Sequence, residues 1–241
     1  MIANSPIRRM AAHTLGFAVV ALLLVSCGNA PDKAQGVRAF TAAFEGEQAK
    51  REVAQPNAQD ARAAAASQQA AVARTVASIQ GPVMVAVLDV NKATAVLKVF
   101  GRNRDYVTWT TADRQSLTFK RGVLTGTRGL GYDLLSSNAD ASINLITQRR
   151  AGEVQRVYRH IDGNNHEVPM VLTCTIGSDG ADTVALGTGG KISTTRMKEI
   201  CRAEGIKVSN IYWVTGSGEI PQSKQWISPQ MGYLATQVLR N

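Results

Sequence analysis

The sequence predicts a mainly β domain, an antiparallel meander with an alanine-rich helix packed on it. Two observations carry this. From Pro82 onward short Val, Thr and aromatic runs alternate with turn residues, with no strand–helix–strand rhythm. The strongest helical stretch lies wholly before Pro82.

Asp60 to Ile79 (DARAAAASQQAAVARTVASI) has high helix propensity, and Val72, Val76 and Ile79 share one helical face. So thin a stripe can dock on a sheet but cannot form a core. Gly81-Pro82 ends it. Val83 to Val90, Thr94 to Phe100, Asp105 to Thr111 and Gln115 to Lys120 then read as strands. Tight turns are expected at Asn91-Lys92, Gly101-Arg102-Asn103 and Ala112-Asp113-Arg114. Further strands are expected at Val123 to Gly126, Glu153 to Ile161, Glu167 to Ile176, Thr183 to Gly187, Val208 to Thr215, Gln225 to Ser228 and Gly232 to Leu239. Ser193 to Glu204 is ambiguous: Met197, Ile200 and Cys201 suit a helix, while Met197, Glu199 and Cys201 alternate as a strand would.

The N-terminal segment sets the compartment. Arg8 and Arg9 precede an apolar run from Leu15 to Leu24, and Leu24-Val25-Ser26-Cys27 closes it as a lipobox. The run is too short for the ~20 residues of a bilayer span. Cleavage between Ser26 and Cys27 would make Cys27 the first mature residue, carrying diacylglycerol and an N-acyl chain; no other cofactor is expected. Each buried methylene contributes roughly 0.8 kcal/mol and two chains already anchor stably, so the mature protein should stay on its membrane. The expected organisation is a signal peptide over 1–26, a lipidated tether over 27–57 and one domain over 58–241, with the helix at 60–79 and the β part at 82–241. Val37, Phe40 and Phe44 suggest a further short helical segment within the tether.

The 241 residues carry a formal net charge of +9, which falls to +7 without Arg8 and Arg9. The cations are scattered, and export directs them toward anionic head groups or acidic polysaccharide rather than nucleic acid. With Cys27 lipidated, Cys174 and Cys201 remain as an even pair. In an oxidising compartment they would bond, adding about 3–4 kcal/mol by chain entropy; two buried free thiols are the alternative.

Catalytic vocabulary is thin. His160 and His166 flank Asp162-Gly163-Asn164-Asn165, a hairpin turn before it is a metal site. Gly187 to Lys191 fails as a phosphate loop, because Ala185 stands where a glycine is required and Ile192 where Ser or Thr should follow the lysine. No GxSxG occurs. Two denser blocks are TGTRGLGYDL (125–134) and NIYWVTGSGEI (210–220), the latter continuing through Ser223, Gln225 and Trp226 to Ser228-Pro229. They read first as strand, glycine turn and strand, with Tyr212, Trp213 and Trp226 as core or rim aromatics. Exposed aromatics also stack on sugar rings and arginine pairs with carboxylates, which makes Arg128, Tyr132, Trp213 and Trp226 the candidate glycan contacts.

With the strand pair leading to Trp109, the cysteine-bearing strand at Cys174 and EICRAEG around Cys201, these two blocks, within GVLTGTRGLGYDL (122–134) and NIYWVTGSGEIPQSKQWISPQMGYL (210–234), resemble the YjbF/GfcB family of outer-membrane lipoproteins associated with group-four capsule and exopolysaccharide production. The resemblance runs from Pro82 to near the C-terminus. It implies a sheet bent into a half-barrel on the periplasmic face of the outer membrane. It further implies a non-enzymatic accessory role in polysaccharide assembly or secretion, with a periplasmic protein and an outer-membrane β-barrel as partners. Only Cys27 transfers as a functional residue. Two alternatives remain: a carrier holding lipid or glycan on the concave face of the sheet, and a polysaccharide-modifying enzyme with two convergent carboxylates.

Overall fold

The structure is a computed structural model that describes residues 58–186 and 190–241. The chain divides into two units, Met1–Pro56 and Asn57–Asn241. Ser26, Cys27, the tether and the segment around Phe40 fall outside the described residues.

The second unit is mainly β. Helix α1 (Ala58–Ser78) is followed by β1 (Val83–Leu88), β2 (Thr94–Asn103), β3 (Tyr106–Thr110), β4 (Ser116–Lys120), β5 (Val123–Arg128), β6 (Ser136–Asn138) and helix α2 (Asp140–Thr147). After it come β7 (Gly152–Ile161), β8 (Glu167–Ala185), β9 (Lys191–Ala203), β10 (Ile206–Val214), β11 (Gln222–Ser228) and β12 (Gly232–Arg240). All twelve strands belong to one antiparallel sheet, ordered β5-β4-β3-β2-β1-β12-β11-β10-β9-β8-β7-β6. It curls until its edge strands approach, a more nearly closed barrel than the half-barrel expected.

Alternation explains the interior. Leu97, Trp109, Leu117, Phe119, Tyr158, Leu172 and Leu234 point to one side of their strands and form the main core. A second core gathers Val123, Ile143, Ile146, Ile176, Met197, Tyr212 and Val214, where α2 plugs the barrel beneath β7, β8 and β10. Helix α1 lies on β2, with Val72, Val76 and Ile79 half-buried and Gln68 Nε2 donating to Thr94 Oγ1 at 3.2 Å.

Several boundaries differ from the sequence reading. The β2–β3 turn sits at Arg104-Asp105, because Asn103 pairs with Tyr106 and the expected turn residues 101–103 continue the strand. Glu167 to Ile176 and Thr183 to Gly187 are largely one long strand, interrupted by a bulge between Ser178 and Ala181. The ambiguous segment is strand as far as Ala203, with Glu204 in the turn that follows, and Cys174 pairs directly with Cys201 across β8 and β9, where they form the disulfide. The sequence reading contained neither β6 nor α2. Both are short, Ala139 makes no side-chain cap, and it is packing of Ile143 and Ile146 that holds the helix.

Candidate functional site

Three places in the barrel gather polar chemistry: a buried cluster at the seam and a cavity at each end.

At the seam, β5 and β6 are the sheet's edges and share no ladder. Beyond one backbone bond, from Thr127 N–H to the Leu134 carbonyl (2.9 Å), side chains bridge the gap. Arg156 on β7 donates from Nη2 to the Leu124 carbonyl (3.0 Å), from Nε to Ser137 Oγ (3.1 Å) and from Nη1 to Glu199 Oε2 (2.7 Å). Asn210 Nδ2 and the Tyr212 hydroxyl donate to the same Glu199 oxygen at 2.8 and 2.7 Å. From β11, Gln225 accepts from Leu124 N–H (2.8 Å) and donates to the Gly122 carbonyl (3.0 Å). Arg156 is 1% exposed and Glu199 fully buried. Burial pushes the Glu199 carboxyl up; the Arg156 charge, then Ser142, Asn210 and Tyr212, pull it down, and it settles below its ordinary 4.5. Burial first of all drives the Tyr158 and Tyr212 hydroxyls well above 10.0. Both tyrosines are therefore neutral donors or acceptors around an ion pair at neutral pH. Glu199 Oε1 and Ser142 Oγ make no well-formed hydrogen bond among the described residues.

The signal for this cluster was in the sequence. Arg156, Glu199 and Asn210 occupy inward phases of their strands, where an apolar side chain is the rule. A charged residue at a core phase announces a partner.

The first cavity, about 660 Å³, opens beside the β5–β6, β7–β8 and β11–β12 connections. Arg128 and Tyr132 line it together. The Arg128 guanidinium is occupied by the carbonyls of Thr127, Leu134 and Leu135, and Asp133 accepts from Thr127 Oγ1 and the amides of Gly129 and Leu130. Asp162 likewise takes the amides of Asn164 and His166 in its turn. Tyr132, 59% exposed, shares the lining with the exposed Ile161 and Val168. His160 also lines it, with Nε2 2.8 Å from the Ile227 carbonyl and its ring edge-on to Trp226, whereas His166 is exposed near Asp162.

The other two sequence candidates stand elsewhere. Trp226 is 5% exposed and packs edge-on against Tyr158 in the main core. Trp213 lies on β10 beside the inward Tyr212, and its Nε1 donates to Asp182 Oδ2 at 2.8 Å, the main reason the Asp182 carboxyl is lowered. The four candidates thus divide into one pair at a cavity and two separate residues.

The second cavity, about 570 Å³, lies at the opposite end among the β2–β3, β4–β5 and β10–β11 turns. Val107, Trp109, Phe119 and Val238 are among its walls, and Arg102, Asp105, Arg121 and Glu219 stand around it. Sequence reasoning missed it because its lining comes from several hairpins and from β12, far apart in the chain.

Among the described residues, the one three-residue group with metal-ligating atoms close together is Cys174, Glu199 and Cys201. Both thiols are in the disulfide and the carboxylate faces Arg156, so this donor set does not suit a metal.

No curated protein matches the chain by sequence. Among solved structures, the crystal structure of the hypothetical lipoprotein YmcC from Escherichia coli (K12) is similar, with a TM-score of 0.62 at 16% identity over 78% of this chain and 98% of that one. At that identity the likeness concerns the fold. The family described as group 4 capsule polysaccharide lipoprotein GfcB, YjbF, matches residues 37–239. With the match spanning both cores, the seam and both cavities, the chain belongs to the YjbF family of capsule polysaccharide lipoproteins.

Proposed function

We propose that this protein is a lipid-anchored, non-enzymatic accessory factor in the assembly or secretion of a capsule or exopolysaccharide. Cys27 holds it to the periplasmic face of the outer membrane, and it works beside a periplasmic protein and an outer-membrane β-barrel. The carrying observation is the family match over 37–239 following a lipobox at Leu24 to Cys27. The site chemistry supports it: the buried ion pair is committed to closing the barrel, and Asp133 and Asp162 shape turns at the first cavity. A glycan-binding role fits the same place, since an exposed Tyr132 ring stands over a cavity wide enough for a sugar.

Deleting the gene in its host should lower surface and released polysaccharide, measured as uronic acid and total hexose. Re-expressed wild type should restore it, and Cys27→Ala should not. Unchanged polymer in the deletion strain would overturn the reading. Full rescue by Cys27→Ala would remove the anchor from it.

A further inference from the structure

We propose that the 570 Å³ cavity binds an anionic amphiphile, with an apolar chain against Val107, Trp109 and Phe119 and a phosphate or carboxylate held by Arg102 and Arg121. This goes beyond the accessory reading and does not depend on it.

Two backbone irregularities place the arginines. On β2, Val99 pairs with Trp109 and Gly101 with Thr108, so Phe100 is an extra residue outside the ladder. This β-bulge leaves Phe100 77% exposed and shifts the phase of everything after it. Unbulged alternation from Leu97 and Val99 would turn Arg102 outward. The bulge instead pairs it with Val107, on the cavity side. On β4–β5 the turn is Arg121-Gly122, with φ of 47° and 84°. Two successive left-handed residues ordinarily call for Asn-Gly, and an arginine there costs about 1–2 kcal/mol. Gly122 is pressed against Ile220, where an added Cβ would lie 2.7 Å from the Ile220 Cβ, and Arg121 N–H donates to the Asp105 carbonyl at 3.1 Å. The two hairpin tips are thereby tied together with both arginines at one lip.

Those guanidiniums are also unoccupied. Neither the Arg102 nor the Arg121 side chain has a hydrogen bond or ion pair among the described residues. Arg240, also in the lining, is instead turned to the carbonyls of Ile79 and Gly81. The lip contains Asp105, and Glu219 stands in the β10–β11 turn beside Ser217. The site is therefore not a broad basic patch; it offers two guanidiniums at the mouth of one cavity, a donor set suited to an anionic group. Below them the walls are Met84, Val107, Trp109, Phe119, Ile220 and Val238. An apolar body with a few convergent polar groups is the usual form of a small-ligand site, and 570 Å³ is an ordinary size for one.

The test uses the purified mature chain and titration calorimetry with three probes: dodecyl phosphate, inorganic phosphate and dodecyl maltoside. Dodecyl phosphate should bind at least about tenfold more tightly than either partial probe. Arg102→Gln with Arg121→Asn should weaken it by about tenfold or more at a melting temperature no lower than wild type, since Asn suits the left-handed turn better than Arg. Val107→Trp, which fills the cavity from a half-buried position, should weaken it without touching the arginines. Lysophosphatidate against farnesyl phosphate then separates a glycerolipid from an isoprenoid source. The proposal is overturned if dodecyl phosphate binds no better than inorganic phosphate, or if neither the double variant nor Val107→Trp weakens it. Tighter binding of a galacturonate oligomer, lost in the double variant, would reassign the cavity to acidic glycan.

Discussion

The two ends of the barrel use the same residue types in opposite ways. At the Tyr132 end, Arg128, Asp133 and Asp162 hold carbonyls and amides, so the charges there belong to the backbone. At the Arg121 end, a bulge and a left-handed turn hold the backbone, and Arg102 and Arg121 are left over. The seam between them is the extreme of the first kind, with Arg156 and Gln225 replacing strand pairing. The lesson is that an arginine in this fold is structural or available according to whether backbone groups have already taken it.

Removing engaged groups should therefore damage the fold in proportion to their burial, and removing the free ones should not. Glu199→Gln leaves Arg156 charged and uncompensated in the interior and should cost about 3–5 kcal/mol, read from the urea midpoint. Replacing both Arg156 and Glu199 by apolar residues should recover much of that loss; an additive double-mutant cycle would break the claim that the two act as a pair. Gln225→Leu strands the Leu124 amide and Gly122 carbonyl and should cost about 2–3 kcal/mol by the same assay. Arg128→Met, at a half-open site, should cost about 1 kcal/mol. Arg102→Gln should stay within about 0.5 kcal/mol of wild type, and Arg121→Asn should equal or exceed wild-type stability, because Asn relieves the left-handed turn.

Acid sharpens the same contrast. The folded Glu199 carboxyl lies below its ordinary 4.5, so below that pH the unfolded chain binds the extra proton. This contribution is fully present above 4.5 and is lost as pH falls through the folded value. Urea midpoints measured from pH 7 downward should drop in wild type and slope less in Glu199→Gln. In alkali the buried Tyr158 and Tyr212 act the other way: stability should decline as pH rises above 10.0, where the unfolded tyrosines ionise first.

Much of the fold was legible because alternation and turn chemistry act locally. Asn91-Lys92 separates β1 from β2 as its composition suggests, and the alanine-rich helix ends at Ser78 before Gly81-Pro82. What escaped was set by partners distant in sequence. The β2–β3 turn moved to Arg104-Asp105 because the bulge at Phe100 advances the strand, a choice made by its pairing with β3. Of the site, Arg128 and Tyr132 fall in one cavity, whereas Trp226 looked available only because the Tyr158 and His160 rings that enclose it lie some seventy positions away. Arg102 read as a turn residue for the same reason that β2 read as too short.

The order of the strands has a consequence for how the chain finds this structure. Every ladder joins consecutive strands except β12 to β1, which couples the two ends of the domain. Between β5 and β6 the opposite holds: the chain is continuous and the ladder is not. The barrel is thus a plain linear meander written in circularly permuted form, with its start and finish exchanged. In the natural order, two locally formed sheets, β1 to β5 and β6 to β12, must wait for one long-range closure, which sets the entropy of the slow step. A permutant beginning at β6 and ending at β5 would make every pairing a local one and should fold faster to the same barrel.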